Sequence, residues 1–266
     1  MTVPRIGKPF AVLLATLLIA ACSSGTPTHG LLKPSGQLPR VQRLDASQVQ
    51  HFDEVVTAID EVGFALLSGA PPDENQVTSP LSLAIALSML GEAMSPDADA
   101  ELAVLLGAAG QDRTEAVNAL SSLVVRYDGD PKKFDAKKPP EVPFVHIANN
   151  VVVNEGFPVH NDYLIALHEW YDASSYQADL SGAAGKKVLD DWVKYHTAEL
   201  IKQSAIEPDP DLQLVLQSAI LFGASWAAPF EAAQTFPAEF TTPGGPVQVD
   251  TMHATMWLRY AQADGW

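Results

Sequence analysis

Cysteine is nearly absent from this chain of 266 residues: there is one, Cys22. A disulfide framework is therefore excluded, and stability has to come from packing. Basic residues are scarce as well, 16 Lys and Arg against 32 Asp and Glu, for a formal charge of −16. Such a chain repels nucleic acid and anionic lipid headgroups, so nucleic acid is set aside as a partner. Beyond residue 21 no run is apolar and long enough to cross a bilayer. Catalytic signatures are missing too. His168-Glu169 lacks the second histidine of a zinc-protease helix, and the seven histidines are scattered, so no metal is expected. Gly223-Ala224-Ser225-Trp226-Ala227 lacks the second glycine of a nucleophile elbow. Ser181 to Lys187 imitates a phosphate loop with the wrong spacing, and no dinucleotide-type glycine motif occurs. Neither an enzyme nor a cofactor is expected.

The first thing that is present is a secretion signal. Arg5 and Lys8 precede an apolar stretch from Phe10 to Ala21, of the length of a secretory core. Ile19-Ala20-Ala21-Cys22 then resembles the bacterial lipobox, in which the sulfur of the cysteine takes a diacylglycerol. The expected layout is a lipoprotein signal peptide over 1–21, lipid attachment at Cys22, a flexible tether over 22–48 and a folded part from 49 to 266. Without the signal, 14 basic residues stand against 32 acidic ones, a net of −18. Membrane contact is expected through the N-terminal lipid alone, at the bacterial cell envelope.

The tether reading rests on Ser, Gly and Pro in residues 23–48. After it, Phe52, Val55, Val56, Ile59, Val62 and Leu66 have helical spacing, broken at 69–74. Ser79-Pro80 is a helix start, and the helix behind it is apolar almost all round, which predicts burial on all sides. Ser95-Pro96 repeats the start signal and Gly107 the stop. Further helices are expected at about 114–125, 162–171 and 184–203. Strands are expected at 144–153 and 212–222, with short β-like runs at 236–242, 246–252 and 257–261. Residues 128–143 read as a loop with four solvated lysines. Helices first and strands later predict an α+β fold.

Several stretches then resemble one family, the serpins. Asn75, Ser79, Pro80, Ser82 and Leu87 match its "N-x-x-x-S-P-x-S-x-x-x-x-L" segment. Ala148-Asn149-Asn150 with Val151 to Val153 resembles its "A-N-A-L-W-V" strand, and Gly156 to Val159 its "G-L-P-V" turn. Val215, Leu216, Ala219, Ile220, Phe222, Trp226, Pro229 and Phe230 coincide with its central strand and the segment just after that strand. Met252-His253, Arg259-Tyr260 and Asp264 to Trp266 fit later segments. Ser218 departs from the pattern by replacing an asparagine.

The resemblance implies N-terminal helices packed on a large mixed sheet, and a serine-type endopeptidase inhibitor. In that family a serine or cysteine protease cleaves an exposed loop, becomes acyl-linked to it, and is carried along as the loop enters the sheet as a new strand. By resemblance Ser79, Ser82 and Ser218 belong to the region that controls sheet opening, and Trp226 lies where the loop first enters. The reactive loop is not among these 266 residues. Loop-insertion inhibition by this chain alone is therefore not expected, and self-association through open sheet edges is. The alternative reading is a non-inhibitory binding lipoprotein on the same scaffold.

Overall fold

The computed structural model describes residues 30–71, 74–257 and 261–262. Cys22, the signal segment, Arg259, Tyr260 and residues 264–266 lie outside them.

Two helices start by the same device. The Ser79 Oγ accepts from the Ser82 N–H at 3.4 Å, and the Ser95 Oγ from the Ala98 N–H at 3.4 Å. In each case proline follows at the first helical position, where no N–H is needed. The helices are α1, Phe52–Ser68; α2, Pro80–Gly91; α3, Pro96–Leu106; and α4, Gly110–Val124. Gly107 ends α3 with φ +81°, a left-handed turn that glycine adopts without strain.

The sheet is built around β1, Phe144–Asn154. Helix α5, Asn161–Tyr171, carries the chain back so that β2, Ser174–Ala178, pairs parallel to β1. Helix α6, Ala183–His196, crosses to β3, Leu214–Gly223, which pairs antiparallel to the other side of β1. The order is β2-β1-β3. A separate hairpin comes next, β4, Thr235–Thr242, with β5, Gly245–Met252.

As the central strand, β1 is covered on both faces, which explains its nearly unbroken Val151-Val152-Val153 run. One face packs with Ile85 and Met89 of α2, Val117 of α4 and Leu167 of α5. The other receives Leu189 and Trp192 of α6 against Val152, Val215 and Ala219. Burial alternates along β3: Val215, Gln217, Ala219 and Leu221 face α6, while Leu214 and Leu216 pack partly on the α2 side.

Several sequence expectations need correction. Helix α6 stops at His196 rather than 203, because Ala198 and Glu199 take positive φ and the Thr197 hydroxyl bonds to the Val193 and Ile201 carbonyls. Leu200 and Ile201 are consequently exposed. Helix α4 begins at Gly110, and β2 has no counterpart among the expected strands. Trp257 is not in a strand, and 258–260 lie outside the described residues. Helix α2 is not buried on all sides: Ala84, Ile85, Ser88 and Met89 are, but Leu81, Leu83 and Leu87 are half-buried and Leu90 is exposed. Among the described residues the sheet covers only one flank of it.

The stretch read as a tether is docked from residue 30 on. Leu32 N–H donates to the Ser175 carbonyl at 2.8 Å and Gln177 N–H to the Gly30 carbonyl at 2.6 Å, adding a short antiparallel piece outside β2. Ser35 bonds to the Asn161 side chain, Gln42 to Glu169, Arg43 to Asp172, and Leu44 to Asn118. Sequence composition could not show these partners, which lie far along the chain.

Candidate functional site: the open strand and the groups beneath it

The capping geometry at the start of α2 brings Ser79 and Ser82 together. The Ser79 hydroxyl donates to the Ser82 Oγ at 2.9 Å while accepting from the Ser82 amide. Ser218, near the middle of β3, shares the strand face of Leu214 and Leu216, which packs on the α2 side. Its Oγ is buried and makes no hydrogen bond among the described residues. Ser79 and Ser82 are thus paired with each other, and no hydrogen bond joins Ser218 to them.

Two polar groups missed at the sequence level share this side of the sheet. Asn149 stands opposite Ser218 in the β1–β3 register. Its Nδ2 donates to the Tyr171 carbonyl at 2.8 Å, and its Oδ1 has no partner among the described residues. Ser88 of α2 is fully buried and its Oγ is likewise unpartnered there. An unsatisfied buried polar atom costs about 1–3 kcal/mol. Strand-average patterning hides such groups: Asn149 is visible in the sequence only as part of a family-like motif, and Ser88 only as a polar break in an apolar helix.

Trp226 lies three residues beyond the end of β3. The ring is not buried. It is 72% exposed and touches Phe230 edge-on at 6.2 Å. The chain turns into coil after Gly223, so no described strand or helix covers the ring.

The two edges of the sheet differ. Outside β2 lies the 30–32 segment. Outside β3 no described strand pairs, so alternate N–H and C=O groups of Leu214–Gly223 have no sheet partner there. Such an edge offers ladder hydrogen bonds to an extended segment.

On the opposite face α6 is joined to the sheet by a polar relay. His146 of β1 accepts or donates through Nε2 to His196 Nδ1 at 2.9 Å, and its Nδ1 meets Asp128 at 2.7 Å. His196 stacks against His146 and is edged by Trp192 and Tyr195. Burial, and then the electrostatic influence of the neighbouring His146, push the His196 pKa down to about 3. Nearby, Asn150 is fully buried with both amide atoms unpartnered among the described residues, and Gln217 leaves its Oε1 unpartnered. Below α2, Tyr171 donates to Glu92 at 2.8 Å, and burial and the Glu92 charge hold its hydroxyl well above the usual range. Among the described residues no cluster of His, Cys, Asp or Glu is arranged to hold a metal.

These features define a class: a helix-backed sheet with a middle strand covered on both faces and an outer strand whose far edge meets no described strand. Comparison with known proteins makes the class specific. The family model "Serpin (serine protease inhibitor)" matches residues 60–265, and the chain belongs to this family. It is 28% identical to Iripin-3 of Ixodes ricinus over 216 residues, covering 78% of this chain and 53% of that protein. It is 28% identical to an uncharacterised serpin-like protein of Thermococcus kodakarensis, covering 79% of this chain and 48% of that one. Among solved structures, cleaved Serpin 42Da matches with a TM-score of 0.62 at 23% identity, over 76% of this chain and 53% of that chain. The thermophilic serpin Tengpin in its latent state matches with a TM-score of 0.60 at 22% identity, over 80% and 54%. The fold is that of a serpin, and the chain spans about half the length of the relatives it matches.

Proposed function

We propose that this chain is the N-terminal part of a serine-type endopeptidase inhibitor, anchored by lipid at Cys22 to the outside of a bacterial cell. The observation that carries the reading is the outer edge of β3 above α2, which pairs with no described strand, with the Ser218 hydroxyl unpartnered beneath it among the described residues. In this account the partner is a serine or cysteine protease. It cleaves a reactive loop, the acyl bond to the protease forms as the loop's peptide bond breaks, and the loop enters beside β3 as a new strand. Ser79, Ser82 and Ser218 take no chemical part. They set how readily the sheet admits the strand, and Trp226 lies at the end of β3 where entry starts.

The loop itself is not among these 266 residues, so by themselves they supply the receiving strand and not the bait. The test is to mix the 266-residue chain, and any longer chain its coding sequence specifies, with trypsin, chymotrypsin, subtilisin and papain. A detergent-resistant band at the summed mass is expected with a longer chain and not with the 266 residues. A covalent complex formed by the 266 residues overturns the account, and its absence with a longer chain moves the protein to the binding-scaffold alternative.

A further inference from the structure

The segment that leads toward the lipid site is unlike the rest of the chain. Between Cys22 and Asp45 there is no acidic residue, while Lys33, Arg40 and Arg43 are basic, in a protein of net −16. From Gly30 on it is fixed rather than loose. Gly30 and Leu32 bond to Gln177 and Ser175 of β2, Ser35 to Asn161, and Gln42 and Arg43 to Glu169 and Asp172 of α5 and its end. Two carboxylates beside the segment, Glu169 and Asp172, are thereby engaged by it. Lys33 and Arg40 point into solvent, and so do Leu31 at 41% and Leu38 at 39% exposure. The result is a rigid strip along the outer side of β2 and α5 that shows cationic and aliphatic side chains together.

Such a strip fits the surface of an anionic bilayer, where each Lys or Arg adds roughly 1 kcal/mol of attraction. Length keeps the strip near the bilayer in an anchored chain. From Cys22 to Gly30 there are eight steps, which reach at most about 29 Å in any conformation. A free tether to Val49 would reach roughly 97 Å. We infer that the strip 30–43 is a membrane-facing surface: the lipid-anchored protein sits with its β2–α5 edge against an anionic bilayer and turns the open β3 edge away from it. This rests on the lipid-anchor reading of Cys22.

The experiment uses the full lipid-bearing protein, reconstituted into vesicles of phosphatidylcholine with 30% phosphatidylglycerol (roughly the charge density such strips recognise). In that protein the lipid occupies the natural cysteine, so one added cysteine carries a single fluorophore, at Gln37→Cys on the strip or Gln213→Cys at the start of β3. A headgroup-linked quencher is expected to quench the first several-fold more than the second. The double change Lys33→Gln with Arg40→Gln, pure phosphatidylcholine, or high salt is expected to shrink the difference while the protein stays vesicle-bound. Equal quenching, or stronger quenching at 213, in vesicle-bound protein overturns the orientation and leaves the anchor standing. Protein that does not float with vesicles overturns the anchor and the orientation together.

Discussion

The two outer edges of the three-stranded sheet are treated in opposite ways. Outside β2, residues 30–32 add backbone hydrogen bonds at 2.6 and 2.8 Å, and side chains from 35 to 44 tie the rest of the segment to α4 and α5. Outside β3 no described strand pairs, and below it the Ser218 and Asn149 side chains leave polar atoms without partners among the described residues. Most sheet proteins blunt both edges, because a free edge invites another chain. Among the described residues one edge is covered by the protein's own N-terminal segment and the other has no strand beside it. Under the proposed function that difference confines strand addition to β3.

The comparison predicts a graded set of effects. The largest concerns what holds β1 and β3 together from behind. Trp192 is 1% exposed and sits on both strands' α6 face. Trp192→Ala should cost about 3–5 kcal/mol in urea denaturation. A loss under about 1 kcal/mol would mean that α6 is not the clamp on this face.

Acid should loosen the same clamp next. The folded-state pKa of His196, about 3, lies below its unfolded value, so the unfolded chain binds the proton first. The contribution of neutral His196 is whole above about pH 6.5 and is lost as pH falls from there toward about 3, at up to roughly 1.4 kcal/mol per unit. The groups facing it include His146, Asp128 through His146, and Lys132 over the Tyr195 ring. Other groups titrate in this window, so the measurement is the difference between wild type and His196→Gln. The wild type should show the steeper fall, and parallel curves would remove His196 from the account.

A smaller effect should unseal the β2 edge. Gly30 has φ +73°, and a Cβ there would collide with the Gln177 carbonyl oxygen. Gly30→Ala should cost about 1–3 kcal/mol and speed amide exchange at Gln177, with β3 exchange unchanged. The smallest pair has opposite signs. Ser79→Ala removes a helix cap and should destabilise by about 1 kcal/mol. Ser218→Ala removes an unsatisfied buried hydroxyl and should be neutral or stabilise by about 1 kcal/mol. If both destabilise equally, Ser218 has a partner that the geometry does not reveal.

Local signals were the legible part of the sequence. Ser-Pro starts, the Gly107 stop, the Val151-Val152-Val153 run and the Pro-Gly hairpin each act within a few residues. Strand β2 was not legible, because Ser174-Ser175-Tyr176-Gln177-Ala178 is short and polar and is a strand only by pairing with β1. The end of α6 is hidden because Leu200 and Ile201 continue a helical spacing that the positive φ of Ala198 and Glu199 cuts off. The docking of 30–48 is masked by its Ser/Gly/Pro composition, since its partners are near residues 118, 161 and 169–177. Of the candidate site, Ser79, Ser82, Ser218 and Trp226 were readable through family motifs. The exposure of Trp226 and the orphaned Asn149 and Ser88 atoms depend on packing alone.

The unequal edges are tested most directly by residue-resolved amide hydrogen exchange on the 266-residue chain. The account predicts that Gln177 and the β1 amides are protected, while the amides of Leu214–Gly223 that point away from β1 exchange rapidly in alternation. Uniform protection along β3 would mean that its edge is already covered, and would contradict the receptive edge on which the proposed function stands.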